Sequence, residues 1–228
     1  MAASYLQNVS DTALIIAYIR GSESQRTDAK FVDPLAAKLS GQRAEQMAGT
    51  AQKKWSSRLL SGGLQNSVIV RTVLIEELVY KAVHEQGIER VVNLGSGLDA
   101  RPLRMDLPKD LEWIEVDLKD MISYKKAETK ELEPNCQVRH ISRDLSKKGE
   151  MEDLLVNELA SEKKTLVLTE GLLVYLKEEE VEKLSQLFKE QAYIEKWIAD
   201  VYSPFSIRVM KRVWSRQLGK DVKFFFGT

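Results

Sequence analysis

Four short apolar runs in this sequence each end on residues suited to binding a nucleoside. Val91-Val92-Asn93-Leu94 leads directly into Gly95-Ser96-Gly97-Leu98-Asp99. Glycines at Gly95 and Gly97 permit a tight turn and let a ligand approach the backbone closely, although a bare Gly-x-Gly also serves as an ordinary turn. Glu115-Val116-Asp117 follows about 20 residues later, the usual separation for an acid that accepts from ribose hydroxyls. Strand alternation puts Glu115 and Asp117 on one face. Asp117 is favoured because it lies at the carboxyl end of its run, where open α/β sheets bind ligands; Glu115 and a helix-capping acid are the alternatives. Ser142-Arg143-Asp144-Leu145 offers an acid for an adenine amino group, with Leu145 to pack on the ring. Thr169-Glu170-Gly171 closes the fourth run and sets Glu170 at the centre of the same edge. A lone acid at a strand end is commonly a helix cap. Four such groups at successive strand ends point to one ligand.

The charge pattern narrows the ligand. A dinucleotide turn carries a third small residue, and Ala100 satisfies that fingerprint. Asp99, however, stands in the turn, where it would repel a diphosphate. A methionine-derived cofactor has no phosphate and carries an ammonium and a sulfonium, so nearby acids favour it. Arg71 adds a separate signal. Its helical neighbours Leu74, Ile75, Leu78 and Ala82 define an apolar face on which a guanidinium needs an anion. That anion is either the cofactor's carboxylate, gripped by a bidentate fork, or an internal acid. On the first reading Arg71→Met is tolerated by the helix while cofactor binding is lost.

These groups need a scaffold that brings strand ends together. Ser10 and Asp11 can cap a helix through Ala13 to Ile19 that stops at Gly21. A polar loop follows, then a short helix after Asp33-Pro34. Ser61-Gly62-Gly63 is expected to break the chain before a helix from about Ser67 to Gln86, ended by Gly87. From Glu89 onward, β-branched or apolar runs (Arg90–Leu94, Leu111–Val116, Gln137–Ile141, Thr165–Thr169, Tyr193–Val201) alternate with helical stretches (Arg101–Met105, Lys119–Glu131, Met151–Ala160, Glu178–Gln191). This β-α alternation predicts an α/β fold: a doubly wound, mostly parallel Rossmann-like sheet. Pro204 to Leu218 reads as helical and Val222 to Phe226 as one more strand, so the usual C-terminal strands are expected to be shortened or missing. Residues 1–66 form a helical cap and 67–228 the core of one structural domain.

Bulk composition removes other classes. Lys+Arg and Asp+Glu balance at 34 each, which gives no global field for nucleic acid or an acidic membrane. One cysteine, Cys136, and two histidines, His84 and His140, leave no internal disulfide and argue against a metal site. No run approaches the roughly 20 apolar residues that span a bilayer, and Met1 to Asp11 lacks a signal peptide's pattern, so a cytoplasmic address is expected. Cys136 and His140 read as packed, and His84 as solvated.

Taken together, Val91-Val92-Asn93-Leu94-Gly95-Ser96-Gly97-Leu98-Asp99-Ala100-Arg101, Trp113-Ile114-Glu115-Val116-Asp117 and Thr169-Glu170-Gly171 through Tyr175-Leu176 resemble the leucine carboxyl methyltransferase family, including its bacterial branch that methylates polyketide carboxyl groups. The Asp11-Thr12-Ala13 helix, Arg20 and Asp33-Pro34 add to the likeness, which covers about Ser10 to Val201. The resemblance implies a class I methyltransferase that uses S-adenosyl-L-methionine. It implies cofactor contacts from Arg71, Gly95, Asp117, Asp144, Leu145 and Glu170, with Arg20 the best match to an N-terminal basic residue that reaches the cofactor carboxylate. It also implies a small-molecule or peptide carboxylate acceptor. Tyr175 either lines the pocket or packs between sheet and helix. A carboxylate is already ionised and needs no general base, in keeping with strand ends that carry no His or Lys suited to the role. The rivals are an NAD(P)-dependent oxidoreductase and a methyltransferase-like binding protein without activity. An apolar edge left by absent C-terminal strands would suit a homodimer.

Overall fold

A computed structural model describes residues 9–41, 44, 58–208 and 225–226. Five parallel strands carry the chain: β1 (Arg90–Leu94), β2 (Glu112–Asp117), β3 (Gln137–Ser142), β4 (Thr165–Thr169) and β5 (Ile194–Ala199). Their order is β3-β2-β1-β4-β5, every neighbouring pair parallel. The chain therefore winds outward from β1 through β2 to β3, then returns to place β4 on the other side of β1. A crevice forms where that direction reverses, between the loops leaving β1 and β4.

Alternation decides the two cores. Val91, Trp113, Leu166 and Leu168 point to one face and pack with Ile75, Val79, Ala82 and Val83 of helix α3 (Arg58–Glu85). Val92, Leu94, Ile114, Val116 and Val167 point to the other. There they meet Leu154, Leu155 and Leu159, together with Val181, Leu184 and Phe188 of α7 (Glu178–Glu190). β1 and β4 are buried along their whole length, as central parallel strands covered on both faces should be. Cys136 is buried at the entry to β3, and burial pushes its thiol up to about 12. The N-terminal helices α1 (Val9–Ser24) and α2 (36–41) do not join the sheet. Leu14, Ala17 and Leu39 cluster with Leu98, Ala100 and Met121, which sets the annex over the glycine turn and the start of α5 (Lys119–Thr129).

Several expected boundaries shift. α1 runs through Gly21 rather than stopping there, and a Cβ at that position would stand 2.9 Å from the backbone N of Ala37. The glycine is a close-approach residue. Ser61-Gly62-Gly63 does not break the chain either: α3 is continuous from Arg58 to Glu85 and crosses from the expected annex into the expected core. The expected helix Met151–Ala160 is a short α-helix, α6 (Glu150–Asp153), that widens into a π-helical turn over Leu154–Glu158. α4 is a single turn, Arg101–Arg104. After β5, residues 204–208 are helical, and the rest of the expected helix to Leu218 lies outside the described residues. Of the expected last strand, only residues 225–226 are described. They are not in a strand; Phe225 N donates to the Val174 carbonyl at 2.7 Å, and Phe226 packs on the α7 side of the sheet. No described helix is long and apolar enough to cross a membrane.

Gly21 and Gly63, both inside helices, should respond oppositely to alanine. A methyl group added at Gly63 would meet nothing within 4 Å, so Gly63→Ala should gain about 0.5–1 kcal/mol of helix propensity. Gly21→Ala should lose about 1–3 kcal/mol, because overpacking against Ala37 exceeds the same gain. Urea midpoints of the two variants check this; shifts of the same sign would show that the α1–α2 contact yields.

Candidate functional site

Gly95 and Gly97 have φ of +68° and +48°, a left-handed conformation that side chains rarely adopt. The turn they make is tied to β2: the amides of Gly95 and Ser96 donate to the Val116 carbonyl at 2.8 and 3.2 Å. Asp117 adds a second tie, accepting from the Gly97 amide at 2.7 Å through Oδ2 and from the Leu118 amide at 2.7 Å through Oδ1. Each oxygen keeps a lone pair for another donor. Burial raises the Asp117 carboxyl above its ordinary value, against the pull of those two amides. No salt bridge reaches it among the described residues.

A cavity of about 320 Å³ opens at this carboxyl edge. The residues that the resemblance implies for the cofactor line it, with Gly97 and Tyr175: Arg20 from α1, Arg71 from α3, Gly95 and Gly97 from the turn, Asp117, then Asp144 and Leu145, then Glu170 and Tyr175. Glu115 does not. Its carboxylate is buried on Lys125 at 2.6 Å, with His140 Nε2 at 3.3 Å. Asp144 stands at the rim, where its Oδ1 accepts from the amide and hydroxyl of Ser146. The Tyr175 hydroxyl lies 3.1 Å from Thr12 Oγ1, which joins the loop after β4 to α1. His84 lies away from the cavity, exposed, with Nε2 at 3.0 Å from the Asp106 carbonyl. Among the described residues, no cluster of His, Cys, Asp and Glu is suited to a metal.

Beneath the cavity runs a connected set of charges. Glu170 bridges Arg71 Nε at 3.0 Å and Arg101 Nη1 at 2.7 Å. Arg71 Nη1 also donates to Asp200 at 2.8 Å and to the Tyr202 hydroxyl at 2.6 Å. Arg101 reaches Asp99 at 2.9 Å and lies 3.7 Å from Glu76. Glu76 holds Arg104, which approaches Asp33 at 3.4 Å, and Asp33 in turn binds Arg20 Nε at 3.0 Å. Burial works against ionisation of Asp99, but Arg101, helped by Lys125 and Arg20, outweighs it and draws the carboxyl down to about 2. Glu170 is likewise lowered: Arg101 and Arg71 overcome its burial.

This network corrects two sequence expectations. Leu74 and Leu78 are about half exposed while Ile75 and Ala82 are buried, so Arg71 sits at the margin of the apolar face rather than within it. Protein acids already neutralise it, and Arg71→Met would strand Glu170 and Asp200 instead of being tolerated. Asp99 also does not present a bare charge in the turn. Asn93 and Arg101 occupy it, so it cannot by itself repel a diphosphate. Arg101, Asp200 and Tyr202 belong to the site as well; Arg101 closes the first stretch that carries the resemblance, but none of the three is given a role from the sequence. Asp200 follows β5 directly, and the strand-end rule used for the other runs would have found it. Arg101 and Tyr202 carry no local signal, because their partners are distant in sequence.

The chain is similar to known proteins. A family model described as leucine carboxyl methyltransferase matches residues 13–189. A protein of Parafrankia sp. (strain EAN1pec), provisionally named an S-adenosyl-L-methionine-dependent methyltransferase, is 30% identical over 179 residues, covering 77% of this chain and 57% of that protein. One of the same provisional name from Streptomyces coelicolor is 31% identical over 195 residues, covering 79% and 64%. The chain spans about three fifths of the length of such relatives. A crystal structure from Thermobifida fusca, provisionally a methyltransferase, superposes with a TM-score of 0.59 at 15% identity, over 98% of this chain and 77% of that one. At that identity the likeness shows the fold.

The depressed Asp99 carboxyl makes a pH prediction. A folded-state value below the ordinary 3.8 contributes stability that is complete above about pH 4 and is lost as pH falls toward 2. The loss should be on the order of 2 kcal/mol. Asp99→Asn should flatten that acid limb in urea titrations run from pH 5 to pH 2. An unchanged limb would mean that other carboxylates carry it.

Proposed function

Because this chain belongs to the leucine carboxyl methyltransferase family, we propose that it transfers a methyl group from S-adenosyl-L-methionine to the carboxylate of a small molecule or peptide. The observation that carries this reading is Asp117: a half-buried carboxylate at the end of β2, held by backbone amides, facing a cavity walled by the glycine turn. Such a group suits a ribose diol. Asp144 and Leu145 suit the adenine. Arg71 Nη2 and Arg20 Nη1 form no hydrogen bond among the described residues, although both guanidinium groups line the cavity. They are the donors available to a methionine carboxylate. The donor set thus fits this cofactor, with residues 1–66 as cap and 67–228 as core.

When bound, the cofactor supplies an electrophilic methyl on a sulfonium. The residues' task is to hold the acceptor oxygen in line with it and to exclude water. The cavity offers little general base. Asp99 and Glu170 are held ionised below the ordinary carboxylate range by arginines, and burial raises the hydroxyls of Tyr175 and Tyr202, which stay protonated. Neither His84 nor His140 lines the cavity. An acceptor that arrives already ionised suits this wall. An NAD(P) diphosphate fits it poorly, because each described arginine that lines the wall is already matched by acids.

Asp117→Ala should weaken S-adenosyl-L-methionine binding by about 1–3 kcal/mol, through lost charge-assisted hydrogen bonds. Isothermal calorimetry of the folded variant checks this, and unchanged affinity would move the ribose elsewhere. Mass spectrometry of the purified protein should find retained S-adenosyl compounds and no nicotinamide dinucleotide; the reverse would favour the oxidoreductase.

A further inference from the structure

Resting on that cofactor reading, we propose that the cleft selects its ligand by net charge and holds the adenosyl sulfonium more tightly than the neutral thioether left after methyl transfer. The cofactor's ammonium and carboxylate cancel in both species, so the two differ by the one positive charge on sulfur. What surrounds that charge decides the difference.

Three observations set the sign. First, among the described residues the connected ion-pair network joins four guanidinium groups to five carboxylates, leaving one negative charge over. Two of its carboxylates, Asp99 and Glu170, line the cavity. Second, Asp117 adds a further carboxylate at the cavity, held by backbone amides and reached by no salt bridge among the described residues. Third, Arg143, the remaining arginine at the cavity wall, is itself outnumbered, with Glu150, Asp153 and Glu158 at 2.7, 2.8 and 3.2 Å. Every described arginine lining the cavity therefore has an acid bound to it, and among the described lining residues acids outnumber arginines by four to three. In a partly desolvated cleft, a unit charge within several ångströms of such a surplus changes affinity by well over a factor of two. The direction follows from the sign of the surplus. Binding of the cationic form is favoured, and the product leaves readily.

The test is calorimetry on the full chain with S-adenosyl-L-methionine, S-adenosylhomocysteine and an adenosyl analogue bearing an ammonium in place of the sulfonium. The two cationic ligands should bind about fivefold or more tighter than the thioether. Asp200→Asn removes one negative charge from the network without altering a residue that lines the cavity. It should narrow that ratio at least twofold, whatever change it makes to the affinities of all three ligands in common. Should the variant fail to fold, the three-ligand comparison on the unaltered protein still decides. Equal affinities, or a tighter thioether, would overturn the charge selection while leaving the cofactor reading intact. Failure of all three to bind would overturn both.

Discussion

Four arginines stand at or near the floor of one cleft, and each must find an acid before the protein can fold. A guanidinium without an anion in such a place costs several kcal/mol, and removing one partner of a buried pair strands the other. The solution here is a shared set rather than isolated pairs. Glu170 serves Arg71 and Arg101, Asp33 serves Arg20 and Arg104, and Glu76 lies between Arg101 and Arg104. Each carboxylate links elements that sheet hydrogen bonding never joins. The network thereby fixes α1, α3, α4 and the loops after β1, β4 and β5 relative to one another, where a ligand would need them fixed.

The sheet supplies the complementary constraint. Parallel winding brings every strand's carboxyl end to one edge, and the reversal between β1 and β4 leaves a gap there that no helix fills. The annex closes the gap from above. Its hold is partly apolar, through Leu14, Ala17 and Leu39, and partly through the Arg20 guanidinium, which donates to the Leu98 carbonyl of the glycine turn at 2.6 Å. A single side chain thus joins the cap to the turn.

Periodicity and strand-end chemistry make the sheet and most of the cavity wall readable from the chain alone. Apolar runs such as Val91-Val92 and Leu166-Val167-Leu168 belong naturally in buried parallel strands. Gly95, Asp117, Asp144 and Glu170 stand out because each closes such a run. The helices are harder. Gly21 and Gly63 look alike as local punctuation, yet both sit inside helices, one with no space for a side chain and the other with space to spare. That difference is tertiary. The role of Arg101 is hidden for the same reason: Glu170 lies 69 residues away along the chain. Arg71 attracts notice through a face argument that Leu74 and Leu78 contradict, even though it does sit in the cavity.

The lone thiol has a practical bearing. Cys136 is walled in at the base of β3 and titrates far above neutrality, so it has little thiolate to offer a maleimide or an oxidant. A cysteine introduced on the exposed side of α3 would therefore be the single site that takes up a fluorophore. With such a dye, movement of the cap against the sheet could be followed in a chain otherwise left as nature wrote it.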